Sequence, residues 1–393
     1  MKKSIIIQLS IFLIFSLKSM AQAYTPVNPQ RVLVGAFPFQ NFTYDARSAS
    51  LGEAGIAISP DANSAFMNPA KLTFLSQDST KKKQNTGISL HYMPYYRKLI
   101  QGMNLYGANI FQVKERNAYG LTLKYFDTGN VEIRNNAGQF QKNFSSKEYS
   151  ITGFYSKQFK HNNSFSVGLK YIYSNLSSPF SNTKPVNTIT GDLCFFHNSP
   201  LTPDGGTKKR SWLNYGASLT NIGGKVSYGD YKSGTPPERT FQSTLLKFGA
   251  AQNFILGKKG NVLMFTTDVN KLLVPTPSIR NANNEVIAGS NEENISGIGT
   301  IIQSWGTAPD GLKETLREFA FSLGTEFRYR EFLAIRAGYY AQNKRKGDIH
   351  YFTLGIGGKF NDFGLDFSYL IPQKRNEILS NTFHISLNYC PFK

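Results

Sequence analysis

Cysteine is scarce in this chain, two residues in 393, and the five histidines are scattered without metal-ligand spacing. A disulfide-stapled scaffold and a zinc module are thereby excluded. No G-x-S-x-G element and no phosphate-cradling glycine loop occurs, so a hydrolase or nucleotide-binding reading has nothing to stand on. Beyond the first two dozen residues no apolar run is long enough to cross about 30 Å of hydrocarbon as a helix. Acidic residues are few, 25 against 44 Lys and Arg, which gives a net charge of +19. A basic chain invites a nucleic-acid reading. Here the charges are spread through turns and loops, so no nucleic-acid partner is expected. Attraction to anionic lipid headgroups and phosphate-bearing surface glycolipids fits better. Neither metal, cofactor nor catalytic residue is expected.

Aromatic residues and glycine are abundant instead: 31 Phe, 21 Tyr and 34 Gly. The first residues decide the compartment. Lys2 and Lys3 precede an apolar run from Ile5 to Leu17, and Ala21-Gln22-Ala23 follows. A basic start, a short apolar core and an A-x-A site predict a secretory signal peptide over 1–23, cleaved after Ala23. Loss of Lys2, Lys3 and Lys18 lowers the charge from +19 to +16.

From about residue 86 the hydropathy period is 2. Phe165, Val167, Leu169, Tyr171 and Tyr173 alternate with Ser164, Ser166, Gly168, Lys170 and Ile172. Phe363, Leu365, Phe367, Tyr369 and Ile371 alternate with Gly364, Asp366, Ser368 and Leu370. The last segment sets Phe383, Ile385, Leu387 and Tyr389 against His384, Ser386, Asn388 and Cys390. Segments of about ten residues with aromatic-rich apolar faces predict an all-β, antiparallel transmembrane barrel, because only closed barrels and helices satisfy the backbone in lipid. About fourteen strands are expected, at 86–97, 103–113, 117–127, 146–159, 164–176, 187–197, 212–224, 242–255, 261–271, 317–330, 332–343, 349–360, 363–371 and 381–392. Parity then places the short connections at 114–116, 160–163, 257–260, 330–331 and 361–362 in the periplasm. The long ones at 128–145, 177–186, 225–241 and 272–316 fall outside, and both termini are expected in the periplasm. Only 198–211 breaks the short-turn rule. Cys194 and Cys390 are expected on nearly opposite walls, unpaired. Leu169 and Leu365 should face lipid and resist a charge, whereas Ser166 and Ser368 should point to a wet lumen and tolerate one. Asp192, Asp268 and Asp366 are candidates for structural lumen groups, Glu292-Glu293 for solvated surface, and Gly355-Ile356-Gly357-Gly358 for close backbone approach. An aromatic, Phe392, stands near the chain end.

Residues 24–85 lack the alternation and are expected to form a plug beneath or within the lumen of the 86–393 barrel. Gly52 and Gly55 lie in a small-residue run, Ser48 to Ala57, that permits tight packing. Asp61 can cap a short helix, with Asn63 beside it. Asn68-Pro69, followed by Ala70, reads as the turn that ends it. Asp45-Ala46-Arg47, Ser59-Pro60-Asp61-Ala62-Asn63-Ser64 and Asn68-Pro69-Ala70-Lys71 resemble the plug of FadL-like outer-membrane barrels. With Met93-Pro94-Tyr95-Tyr96-Arg97, Met103-Asn104-Leu105, Leu123-Lys124-Tyr125-Phe126, Gly129 and Asn136-Ala137-Gly138, the set resembles more closely the PorV (LptO) family of the Bacteroidetes type IX secretion system. Met67 departs from it, standing where the family often carries Trp. The resemblance implies a non-enzymatic component. Such proteins bind the C-terminal domain of cargo leaving the SprA/Sov translocon and carry it to the attachment complex of the sortase PorU with PorQ and PorZ. A FadL-like transporter of hydrophobic small molecules is the competing reading.

The long loop 272–316 bears on that choice. It carries Ile295, Ile298, Ile301, Ile302 and Trp305, with a helix expected near 310–318. Apolar groups in an outer loop predict a partner surface; folding back as a lid over the mouth is the alternative.

Overall fold

Two-residue alternation becomes sheet along most of the chain. A computed structural model describes residues 31–75, 84–97, 102–135, 137–160, 162–176, 184–199, 210–229, 239–257, 260–330, 332–373, 379 and 381–391. The expected signal peptide, most of the 198–211 connection and Phe392 lie outside the described residues. The strands are β1 Gln84–Pro94, β2 Met103–Lys114, β3 Asn117–Thr128, β4 Val131–Arg134, β5 Phe140–Phe144, β6 Lys147–Phe159, β7 Asn163–Asn175, β8 Val186–His197, β9 Ser211–Ile222, β10 Leu245–Leu256, β11 Asn261–Leu272, β12 Ile279–Arg280, β13 Val286–Ala288, β14 Phe319–Tyr329, β15 Leu333–Ala341, β16 His350–Phe360, β17 Phe363–Pro372 and β18 Phe383–Tyr389. Fourteen of them close a barrel in the order β1-β2-β3-β6-β7-β8-β9-β10-β11-β14-β15-β16-β17-β18, and β18 pairs back to β1. Every pair in the wall is antiparallel. The two short pairs, β4-β5 and β12-β13, are hairpins within long loops. Among the described residues no helix is long and apolar enough to cross a membrane.

The faces fall as the period predicts. Leu169 is 66% exposed and Leu365 55%, whereas Ser166 and Ser368 are 2% and 1% exposed. Outward tyrosines gather near the long-loop rim, with Tyr92 5.4 Å from Tyr106 and Tyr149 5.0 Å from Tyr173. Phe363 and Tyr389, 4.8 Å apart, mark the other rim. An apolar band between aromatic girdles is the form of an outer-membrane wall.

Some strands end earlier than the alternation suggests. β9 stops at Ile222 because Asn221 adopts a left-handed conformation and shifts the register against β8 between Gly191 and Leu193. That bulge turns the Asn221 side chain inward, where it accepts from Lys170 Nζ at 2.6 Å and donates to Asn41 at 2.9 Å.

Because neighbours are antiparallel, connections alternate between two rims. The chain after β18 ends on the short-turn rim, where the Cys390 N–H donates to the Asp362 carbonyl. Arg31, the first described residue, is instead bound to Asp310 and Glu314 in the 273–318 connection, on the long-loop rim. The two ends of the described chain therefore lie at opposite rims. Cys194 and Cys390 are buried and free; the barrel order puts β8 and β18 across the lumen from each other.

Residues 31–75 supply no strand to the wall and fill the lumen. Phe39, Tyr44, Leu51, Ile56 and Leu72 are all at most 1% exposed. The lumen is thus packed with protein. The expected tolerance of Ser166 and Ser368 to charge does not survive this. Ser166 Oγ bonds Ser156 Oγ at 2.9 Å and Ser368 Oγ bonds His384 at 3.0 Å, in space already occupied.

Candidate functional site

The plug is seated on glycine. Gly324 of β14 and Gly338 of β15 are register partners, and Thr353 of β16 pairs with Gly338. A Cβ on Gly338 would stand 2.0 Å from the Gly52 nitrogen, one on Gly324 2.7 Å from Leu51, and one on Gly355 2.3 Å from Ser50 Cβ. Three hydrogen side chains open a trough into which the backbone of Ser50-Leu51-Gly52 is laid. Thr353 Oγ1 fastens it, accepting from the Gly52 N–H at 3.0 Å and donating to the Ser50 carbonyl at 2.9 Å. Gly52 itself has φ +66, which a side chain would resist. A second seat lies on β9 and β10, where Gly216 and Gly249 pair and Ile56 packs. Beside it Asp268 Oδ2 accepts the Gly55 and Ile56 N–H groups at 2.8 and 3.0 Å.

Charge completes the anchorage. Asp45 caps the helix Ala46–Ala49, accepting from the Ser48 N–H at 2.7 Å. That turn directs Arg47 at Glu326 of β14, with two bonds of 3.0 Å, and at Asp61, 2.9 Å away. Arg336 of β15 also donates to Glu326 at 2.7 Å and to Asp366 of β17 at 2.7 Å. Arg47, Glu326 and Arg336 are all at most 6% exposed. The chain Asp61–Arg47–Glu326–Arg336–Asp366 satisfies each buried charge with an opposite one, the condition under which buried ions are tolerated. A crevice of about 450 Å³ opens beside it toward the short-turn rim, lined by Arg47, Asp61, Glu326, Arg336 and Asp366 among others.

Each plug residue picked from the sequence has a place here. Asp61 Oδ1 accepts from the Asn63 N–H and from Ser64 Oγ, both at 3.0 Å, and so caps the turn that leads into Ser64–Phe66. Asn63 is buried and, among the described residues, its side-chain amide finds no hydrogen-bond partner. Asn68 Nδ2 donates to the Ile56 and Phe195 carbonyls at 3.2 and 2.9 Å, and Pro69 opens the 3-10 helix Pro69–Phe74. The Pro69 and Ala70 carbonyls accept from Ser156 Oγ and Ser164 Oγ at 3.0 and 2.6 Å. Gly55 packs on Met67, the position that departs from the family pattern. Arg47, Glu326, Arg336 and Thr353 were not singled out by sequence reasoning. Arg47 stood inside a quoted motif; the others are ordinary inward strand positions. Asp192 and Asp366 do face the lumen, paired with Lys170 at 3.0 Å and Arg336 at 2.7 Å.

Loop 272–316 forms a folded cap over the long-loop rim. It holds the β12-β13 hairpin and helices at Thr300–Gln303 and Leu312–Arg317, the second within the stretch expected to be helical. Glu314 is bonded by Arg31 Nε and Nη2, both at 2.8 Å, and by Lys346 Nζ at 2.9 Å. Burial works against its charge, yet these donors hold the Glu314 carboxyl down to about 2. Glu318 is fully buried between Lys271 of β11, Lys346 and Thr276. Glu292, expected to be solvated, instead accepts from the Ser278 N–H and pairs with Arg280 at 3.1 Å; Glu293 stays exposed.

The loop's apolar residues divide. Ile295, 6% exposed, is a core residue of the cap packed with Phe241 and Val274, so it is not surface. Ile301 is half-buried. Ile302 is 80% exposed and Ile298 61%. Trp305 shows one face: its indole N–H donates to the Ile301 carbonyl at 3.0 Å, and Lys271 lies 5.2 Å from its ring. Leu312 and Leu316, not singled out from the sequence, are exposed on the second helix.

Solved structures share this architecture. A Pseudomonas putida toluene transporter, TodX, aligns over 89% of this chain and 98% of its own at 10% identity, with TM-score 0.50. A Pseudomonas aeruginosa FadL homologue aligns over 88% and 98% at 12% identity, with TM-score 0.43. Likeness at that identity concerns the fold alone. No curated protein matches the chain. A model of the family "Type IX secretion system protein PorV" matches residues 25–279. The chain belongs to the PorV family of type IX secretion system proteins, built as a FadL-like β-barrel.

Proposed function

We propose that this outer-membrane component of type IX secretion binds the C-terminal domain of secreted cargo through its cap. It then carries the cargo from the translocon (SprA/Sov in family terms) to the PorU sortase complex with PorQ and PorZ. The short-turn rim faces the periplasm in this reading, and the cap faces outward. The observation that carries it is the cap itself. Ile298, Ile302, Leu312 and Leu316 project from backbone fixed by buried ion pairs, and preorganised apolar groups lose little entropy on binding. A hydrophobe channel has less support: inward positions are largely Ser, Thr, Asn, Lys and Glu, and the plug packs against them. The reading involves no catalysis, as befits a family of secretion proteins.

Co-purification tests it. Ile302→Asp combined with Leu316→Asp should leave the barrel folded and sharply reduce capture of cargo C-terminal domains from solubilised membranes, with cargo building up in the periplasm. Normal capture and secretion alongside altered uptake of a hydrophobic compound would replace this reading with the transporter.

A further inference from the structure

Three lysines converge on one small cavity in the lumen, and too few acids accompany them. The cavity holds about 60 Å³ and is lined by Lys124 of β3, Lys170 of β7, Lys247 of β10, Asp192 of β8 and Gln40 of the plug. Asp192 is already used: it takes Lys170 Nζ at 3.0 Å and the Asn221 N–H at 2.8 Å. Lys124 spends one donor on the Gln40 carbonyl at 2.7 Å. Lys247 is 7% exposed and, among the described residues, makes no hydrogen bond or ion pair. The acids that sense its charge are taken elsewhere: Glu53 by Tyr351, and Asp268 by the Gly55 and Ile56 N–H groups. The Gln40 side-chain N–H group is also a buried donor without an acceptor among the described residues. Donors thus outnumber acceptors around a buried space, where an unpaired charge is costly.

We propose that this cavity is a binding site for a small free anion, halide- to phosphate-sized, held by Lys247, Lys124 and the Gln40 amide. At about 60 Å³ the cavity is small and its polar groups are donors, which suits a compact ion better than an acylated headgroup, so the free ion is the ligand. Gln40 lies in the plug's 3-10 helix Pro38–Asn41, while the lysines lie on three strands of the wall. The anion therefore clasps the first described turn of the plug to the barrel. This is separate from the cap and does not rest on the cargo-binding reading.

Crystals of the full chain in detergent, soaked in bromide, test the site by anomalous diffraction. A peak within hydrogen-bond reach of Lys247 Nζ is expected. In parallel, thermal unfolding in chloride, bromide or phosphate should rise saturably by several degrees over a bulky-anion salt of equal ionic strength, and Lys247→Met should abolish the rise. Should Lys247→Met not fold, Gln40→Leu, which removes one donor, should weaken the anion dependence several-fold. No anomalous peak in the cavity, an unchanged saturable rise in Lys247→Met or Gln40→Leu, or native mass spectra showing an acyl lipid retained through these lysines would overturn the proposal.

Discussion

Against the plug the barrel presents glycine, Gly324, Gly338 and Gly355, so that backbone lies on backbone. Against the cap it presents long charged side chains, Lys271 and Lys346, reaching up to Glu314 and Glu318. The first joint is set by shape, admits no added atom, and is locked by the buried Arg47–Glu326 pair. The second is set by charge and can be loosened by protons. A plug that must stay in place and a cap that meets partners are suited by these different joints.

The comparison can be broken at either joint. The largest effect is expected at Glu326, whose removal as Glu326→Leu strands Arg47 and Arg336 in the packed lumen. Loss of one partner of a buried ion network costs about 3–5 kcal/mol, and the barrel should unfold at clearly lower temperature in detergent. Gly338→Val should follow, because overpacking by even small groups costs about 1–3 kcal/mol and here the obstacle is backbone. Limited proteolysis should then find the plug accessible while the wall remains closed. An unchanged plug would mean that the trough is wider than the Gly52 contact implies. Leu169→Arg, at about 2–4 kcal/mol near mid-membrane, sharpens the contrast between wall and lumen. Ser166→Arg should do comparable damage for a different reason, since it would need the space held by the plug. A mild Ser166→Arg would show a wet lumen.

The cap should respond to pH. The Glu314 carboxyl is held down to about 2, below its ordinary value near 4.3. Its contribution is therefore fully present above that ordinary value and is lost as pH falls toward 2. Hydrogen exchange over Leu312–Arg317 should accelerate across that window and, in Arg31→Ala, already near neutral pH, with barrel melting little changed. Exchange that ignores both would remove the ion pairs as the cap's fastening. The smallest stability effect belongs to Ile302→Asp, within about 0.5 kcal/mol for an exposed position, although its effect on cargo capture should be large.

The barrel was legible in the sequence because a strand's period is local: Phe165 to Tyr173 declare their face without reference to any other strand. Strand number followed, and the Asp61 turn was readable because its capping acts within a few residues. What fills the lumen was decided only by tertiary structure. Ser166 and Ser368 carry no mark distinguishing a packed interior from a watery one, and Arg47 is brought to Glu326 and its hairpin partner Arg336 from 279 residues away by the seating of the plug. Ile295 and Ile302 are the same residue type seven positions apart, one buried beneath the cap and one standing on it. In an irregular loop no period connects sequence spacing to facing, so only the fold of the cap, fixed by Glu314 and Glu318, determines which side chain meets a partner.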